Sequence, residues 1–346
     1  MQPLLEEERY HLYTSDAQTM LKQFESESVN CIVTSPPYWG MRKYDDVDGN
    51  FEIGLERDYE LYIGHLRAVF LEAMRILKED GSLWLNLGDK YQGKALMGMP
   101  WRVALALIDD GWILRNDVIW SQMKGTQSCK DRLRDSYEHI FHFVKNKRYF
   151  YDADAIRVKP TKHPHVADGV FVSSTGVSGV KYRKLITDSK VLSDIEKKNA
   201  LDALKHTIEQ VKKGEINDFR MTIRGAQRAW HSDNTSISGR AAELEKHGFY
   251  IMKMGAKGPI PTDIWNVVTE DKWRTDSHCA VYPEELLRIP LLSTTRRDDV
   301  VLDPFSGTGT TVVAALKSGR RGVGIDLSSE YTRIAQERID DLGFIL

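Results

Sequence analysis

Asp298-Asp299-Val300-Val301-Leu302-Asp303-Pro304-Phe305-Ser306-Gly307-Thr308-Gly309-Thr310-Thr311 is the stretch on which the fold class turns. Val300 to Leu302 is a short apolar, β-branched run and reads as a buried strand. Pro304 cannot continue a ladder, and a glycine-rich turn follows. Val312, Val313, Ala315 and Leu316 then form the apolar side of a helix. Glycine lets a backbone approach a ligand closely, and a helix start presents unpaired N–H groups. Next, Gly322-Val323-Gly324-Ile325-Asp326-Leu327 is a second strand whose acid lies nineteen residues beyond Gly307. An acid at about that distance suits the hydroxyls of a ribose. A lone Gly-x-Gly is equally a structural turn. Strand, turn, helix, strand and acid in this order favour a nucleoside-cofactor site.

Far upstream, Val29-Asn30-Cys31-Ile32-Val33 reads as another short buried strand and runs into Thr34-Ser35-Pro36-Pro37-Tyr38-Trp39. The two prolines stop the ladder and fix the backbone. Ser35 and the Pro36 carbonyl can then both accept hydrogens from one amino group. Tyr38 or Trp39 offers a face for a flat ring. A plain proline turn after a strand is the alternative.

Together these segments resemble the amino-group DNA methyltransferases that use S-adenosylmethionine. Ser-Pro-Pro-Tyr before Asp-Pro-Phe-x-Gly-x-Gly is the circularly permuted order of the β class. The resemblance is dense over residues 10–150 and 262–340. It implies a Rossmann-like α/β fold: a doubly wound, mostly parallel sheet with an antiparallel hairpin and an inserted DNA-recognition region. By the same resemblance Ser35, Pro36, Pro37 and Tyr38 form the catalytic segment. Phe305, Gly307, Thr308, Gly309 and Thr310 line the cofactor, Asp303 faces its methionine amine, and Asp326 binds its ribose. Leu12-Tyr13-Thr14-Ser15-Asp16-Ala17 is similar to the segment near the adenine, with Ser15 where glycine is usual. His278-Cys279-Ala280-Val281-Tyr282-Pro283 is similar to the segment flanking the methionine end, although His278 reads equally as a core histidine.

Serine before Pro-Pro-Tyr accompanies cytosine N4 methylation in most of that family, and aspartate accompanies adenine N6. The expected substrate is therefore cytosine in double-stranded DNA, with adenine N6 as the runner-up. An RNA methyltransferase and an inactive fold that only binds DNA are further alternatives. A cognate restriction endonuclease is an expected partner of such an enzyme. An exocyclic amine has its lone pair delocalised into the ring. Acceptors at Ser35 Oγ and the Pro36 carbonyl would help the nitrogen pyramidalise for in-line displacement, with the base turned out of the duplex.

Composition bounds these readings. Hydrophobic residues make up 41% of the 346, enough for a sizeable core. No apolar run is long enough to span a bilayer, and the acidic N-terminus lacks an apolar block, so a cytoplasmic protein is expected. Cys31, Cys129 and Cys279 are too widely spaced for a disulfide framework or a zinc site. No Pro-Cys occurs, which argues against the covalent route of cytosine C5 enzymes.

Charge is unevenly spread. Residues 157–260 hold 19 Lys or Arg against 11 Asp or Glu, although the chain as a whole carries −2. Such segregation fits a middle that meets phosphate or, equally, a solvated surface. Three regions are expected: residues 1–155 as a catalytic half, 156–261 as an inserted target-recognition region, and 262–346 as a cofactor half. Within the first, the pattern predicts a helix from Tyr59 to Leu77, ended by Asp80-Gly81, and a strand from Ser82 to Leu87. A helix from Pro100 to Asp110, a strand from Trp112 to Trp120 and an antiparallel strand from Ser136 to Lys145 follow. In the middle, Val170 to Val180 reads as a loop and Ile186 to Val211 as a helix. Arg220, Arg224 and Arg228 share a face if Asn217 to Arg228 is helical, and with Gln227 they are candidate DNA contacts.

Overall fold

A computed structural model describes residues 9–40, 52–122, 129–167, 169–226, 239–268 and 282–343. His278, Gln227 and Arg228 lie outside the described residues. The chain divides into two compact units, residues 1–156 with 262–346, and residues 157–261.

The first unit is built on eight strands, β1 (Tyr10–Thr14), β2 (Val29–Thr34), β3 (Leu77–Leu87), β4 (Ile113–Ser121), β5 (Tyr137–Val144), β6 (Ile264–Asn266), β7 (Val300–Asp303) and β8 (Arg321–Asp326). They form one sheet in the order β1-β8-β7-β2-β3-β5-β4-β6. Neighbours from β1 to β3 are parallel, β5 is antiparallel to both β3 and β4, and β6 is parallel to β4. Parallel strands need helical crossovers. The crossovers are α2 (Tyr59–Ile76) from β2 to β3 and α5 (Thr310–Lys317) from β7 to β8. α1 (Ala17–Leu21), α3 (Met99–Asp109), α4 (Arg288–Thr294) and α6 (Ser329–Asp340) complete the layers. This is a doubly wound α/β sheet, as the α/β rhythm of the sequence predicts.

From β2 the chain winds outward through β3, whereas from β7 it winds the opposite way through β8. The crevice between β2 and β7 is therefore the topological switch point, where ligands of open α/β sheets bind. The Ser35 turn and the Gly307 turn follow these two neighbouring strands.

Two local readings shift. α2 buries Tyr62, Leu66, Val69, Phe70, Ala73 and Ile76, so Tyr62 and not the exposed Leu61 takes the first core position. The helix stops at Ile76 because Leu77 already pairs with Val29. Asp80-Gly81 sits instead in an irregular part of β3, where the register jumps before Cys31 meets Ser82.

The second unit carries its own core, with Phe219, Met221 and Ile223 facing Tyr182, Ile186, Leu204 and Val211. Residues Ile216–Ile223 are a strand, paired antiparallel with Phe249–Gly255, and not the helix considered for Asn217 to Arg228. Alternation of Phe219, Met221 and Ile223 has period two, and burying that face outweighs the spacing of the arginines. The helix expected from Ile186 to Val211 is two, Val180–Thr187 and Asp194–Lys212. Ser193 and Glu196 form a reciprocal cap at the second start, which explains the break. Val170–Val172 is a short strand in the stretch expected to be loop.

Candidate active site

β7 ends at Asp303, which is 1% exposed and hydrogen-bonded on every side. Oδ1 accepts from Thr34 Oγ1 at 2.6 Å and from the Phe305 amide at 3.0 Å. Oδ2 accepts from Thr311 Oγ1 at 2.6 Å and from the Tyr282 hydroxyl at 2.9 Å. A carboxylate has about four lone-pair positions, and all are filled. Burial raises the Asp303 pKa, the four donors oppose that shift, and burial prevails. The methionine-amine role expected of Asp303 finds no free lone pair. Its geometry is that of a clamp joining β7 to β2.

Asp326 at the end of β8 is arranged differently. Oδ2 accepts from the Gly307 amide at 2.8 Å and Oδ1 from the Ser328 amide at 2.9 Å, with acceptor capacity left over for a ligand hydroxyl. Burial lifts its pKa to about 6. Asp16 follows β1, the neighbour of β8, and the Ser15 amide donates to the Asp326 carbonyl at 2.8 Å. The Asp16 carboxylate caps α1 by accepting from the Thr19 amide at 2.8 Å. Phe305 is half-buried against the main core and Gly307 is partly exposed. Asp16, Asp326, Phe305 and Gly307 therefore stand at the C-terminal ends of adjacent parallel strands.

Gly309, Thr308 and Thr310 do other work. Gly309 has φ +79°, and a Cβ there would come within 2.7 Å of Ala335 Cβ on α6. The close approach it permits is to a helix. The Thr308 carbonyl and hydroxyl and the Thr310 hydroxyl accept from Arg338 Nη1 at 2.8, 3.0 and 3.0 Å. Arg338, on α6 and 3% exposed, thus braces the turn from beneath. Nothing local in the sequence marks Arg338 for this place.

Across the crevice, the Ser35 turn meets residues from β3 and β5. Tyr38 donates from its hydroxyl to Glu138 Oε2 at 2.6 Å, and Ser35 Oγ lies 3.2 Å from the same hydroxyl. Asn86 Nδ2 lies 2.9 Å from the Tyr38 oxygen, 2.8 Å from Glu138 Oε2 and 3.4 Å from Ser35 Oγ. Gln122 Nε2 donates to Glu138 Oε1 at 2.7 Å. Because β5 is antiparallel, its first residues reach the rim where the parallel strands end. Burial, then the Glu138 charge, hold the Tyr38 hydroxyl pKa well above the usual tyrosine range, so it stays a protonated donor.

Asn86 is 6% exposed and its Oδ1 is buried without a hydrogen-bond partner. Leaving such an acceptor unmade costs about 1–3 kcal/mol. Turning the amide over would set Oδ1 against Glu138 Oε2, acceptor against acceptor, so the carboxylate fixes its orientation.

The turn itself is held from outside. Tyr62 donates to the Pro37 carbonyl at 3.0 Å, and Pro36 is buried. Gly88 makes room for the Tyr38 ring, since a Cβ there would lie 2.6 Å from Tyr38 Cε2. Trp39 does not offer a free face. It is 6% exposed, its indole N–H donates to the Glu56 carbonyl at 2.9 Å, and Lys90 Nζ sits 4.5 Å from its ring centre. Tyr38 is the aromatic of the turn that borders the polar cluster.

Glu138, Asn86 and Gln122 were missed from the sequence. The one available signal was a glutamate inside the alternating apolar run from Ser136 to Lys145. In the second unit, Arg220 pairs with Asp218 at 2.8 Å and also donates to Thr175 Oγ1 at 3.0 Å. Arg224 pairs with Glu196 at 2.8 Å. The arrangement is not helical, Arg228 lies outside the described residues, and the Arg220 and Arg224 side chains are both engaged within their own unit.

Cys31 is buried beside Thr294, and burial drives its pKa up to about 12, which leaves no thiolate for nucleophilic chemistry. No group of three or more His, Cys, Asp or Glu among the described residues could hold a metal ion. No helix among them is long and apolar enough to cross a membrane.

Residues 29–337 match the family described as DNA methylase. The chain is 29% identical over 358 residues to the type II methyltransferase M.XycI of Xanthomonas campestris pv. cyanopsidis, covering 95% of this chain and 87% of that protein. Its identity to the type II methyltransferase M.Cfr9I of Citrobacter freundii is also 29%, over 95% of this chain and 87% of that protein. Among solved structures, the PvuII DNA methyltransferase (cytosine-N4-specific) is similar with a TM-score of 0.58 at 17% identity, covering 97% of this chain and 88% of that one. That likeness is one of fold.

Proposed function

The chain belongs to the DNA methylase family, and from that premise we propose that it methylates the exocyclic N4 amine of cytosine in double-stranded DNA, with S-adenosylmethionine as donor. One observation carries the reading. The Ser35 acceptor turn follows β2 and the Gly307 turn, whose amide is held by Asp326 of β8, follows β7, so the two flank a single switch point with Thr34 bonded to Asp303 between them.

The residues at that crevice fit the cofactor. Asp326, with acceptor capacity left over, would take the ribose, and Phe305, Gly307 and Asp16 would bound the rest of the nucleoside. When bound, S-adenosylmethionine supplies a methyl group on a sulfonium, which needs no metal and no covalent enzyme adduct. Ser35 Oγ and the Pro36 carbonyl would accept the two amine hydrogens, directing the nitrogen lone pair away from the turn. Tyr38 would stand in for the stacking partner that a base loses on leaving the duplex. Positioning and hydrogen-bond acceptance, with no strong base, are what these side chains provide.

Serine before Pro-Pro-Tyr supports cytosine over adenine. The basic balance of residues 157–260 supports a polynucleotide partner. A separate endonuclease of matching specificity is the partner such a modification enzyme would have.

The test is a nucleoside digest with mass analysis of unmethylated DNA incubated with the protein and labelled S-adenosylmethionine. Label in N4-methylcytosine is expected. Label in N6-methyladenine would overturn the base assignment and keep the chemistry. No label in either nucleoside would overturn the reading.

A further inference from the structure

We infer that Glu138 is a positioning residue that makes Ser35 an acceptor toward the target amine and supplies, through Tyr38, the negative charge that a neutral serine lacks. The inference rests on the methyl-transfer reading above and concerns the same site.

Hydrogen-bond polarity orders the cluster. Tyr38 has a single hydroxyl proton, and the 2.6 Å contact with Glu138 Oε2 claims it, because a carboxylate can only accept. The Tyr38 oxygen is then left with two lone pairs. Asn86 Nδ2 approaches one at 2.9 Å and shares itself with Glu138 Oε2 at 2.8 Å. Ser35 Oγ, 3.2 Å away, fills the other and must donate its proton to do so. Both hydroxyls are thereby ordered in one direction, and although Asn86 Nδ2 approaches one Ser35 lone pair at 3.4 Å, the other is left for the incoming amine. Only this ordering suits an incoming N–H group. A serine free to rotate would spend part of its time presenting a proton to the amine.

Charge follows the same path. As the amine nitrogen bonds to the methyl carbon, the carbon–sulfur bond breaks to leave a neutral thioether, and the nitrogen is positive until it releases a proton to solvent. A carboxylate reached through hydrogen bonds of 3.2 and 2.6 Å in a partly buried pocket stabilises that charge. Gln122 holds the other Glu138 oxygen at 2.7 Å, so the carboxylate cannot swing away from Tyr38. The donors around Glu138 among these contacts (Tyr38, Asn86 and Gln122) are all neutral, and its charge is not spent on an ion pair with any described residue.

The experiment compares the full-length wild type with E138Q, Y38F and the double variant, using unmethylated DNA and saturating S-adenosylmethionine. Glutamine keeps the size and an acceptor but removes the charge, and phenylalanine keeps the ring but cuts the link. E138Q is expected to lower kcat about 100-fold. KM for DNA and cofactor Kd should stay within about twofold of wild type. The double variant should be no slower than Y38F alone, because both act through one path. A wild-type kcat for E138Q, losses shared equally with KM and cofactor binding, or independent losses that multiply would each overturn the inference. A wild type that transfers no methyl group would instead overturn the functional reading, and this inference with it.

Discussion

Thr34 and Asp303, 269 residues apart, share a 2.6 Å hydrogen bond between the ends of two adjacent parallel strands. The serine turn starts at the residue after Thr34, and the glycine turn starts just beyond Asp303. One buried contact therefore sets the spacing between the acceptor that would hold the base and the loop that would hold the cofactor.

Replacing Thr34 with valine keeps the shape and removes the donor. Asp303 would be left with an unfilled lone pair in a buried site, and a stability loss of about 1–3 kcal/mol is expected. Urea unfolding measures it. A loss of only a few tenths of a kcal/mol would mean that the Phe305 amide, Thr311 and Tyr282 suffice to hold Asp303.

Ser35→Ala and Tyr38→Ala should separate chemistry from cofactor binding. Turnover is expected to fall by about 100-fold or more, while the cofactor Kd barely moves. Titration calorimetry beside single-turnover kinetics reads both. Parallel losses in the two would assign these residues to the fold.

With Asp326 at the ribose, cofactor binding is expected to depend on pH. Its folded pKa is about 6, raised by burial above the ordinary carboxylate value. Ribose hydroxyls are donors and favour the ionised form, so protons compete with the cofactor and affinity falls as pH drops through about 6. By linkage, bound cofactor lowers that pKa. In the cofactor-free protein the sign is opposite. Folding holds the proton more tightly than the unfolded chain, so this group's contribution to stability declines between the unfolded pKa and about 6 as pH rises. Calorimetry from acid to neutral pH should show the affinity slope in the wild type and a much flatter profile in Asp326→Asn. An equal slope in both would remove Asp326 from the ribose site.

Gly309→Ala tests what that glycine is for. A Cβ would meet Ala335 at 2.7 Å on a backbone with φ +79°, so overpacking and conformational strain both apply. A cost of about 1–3 kcal/mol is expected. Ala335→Gly in the same chain should return the steric part and leave the backbone part. If it returns nothing while cofactor affinity drops, the glycine serves the ligand.

The parts of the site legible in the sequence are those whose signals are local. A buried strand stopped by Pro36-Pro37, and one running into Gly307, announce themselves within a few residues, and the α/β alternation orders them. Glu138 and Asn86 are a different case. They meet only because β5 runs antiparallel beside β3, and no spacing along the chain encodes a contact across 52 residues. Arg338 is hidden for the same reason, since an arginine on an amphipathic helix reads as solvated until Thr308 and Thr310 are seen beneath it. At Arg220 and Arg224 two periodicities compete, and the alternation of Phe219, Met221 and Ile223 prevails because it buries a face.

The place of β2 in the sheet has a consequence for how the molecule comes into being. Cys31 and Ile32 pair on one side with β3, within the same early stretch, and on the other with Val301 and Leu302. A ribosome delivers β2 long before β7 exists, so a central strand spends most of translation as a raw edge. Such an edge invites strand addition from other nascent chains, and closing it late makes folding slow. The crevice that makes the site is thus one of the late seams of the sheet to be sewn, and recovery of active protein should depend on what shields that seam while the chain is still growing.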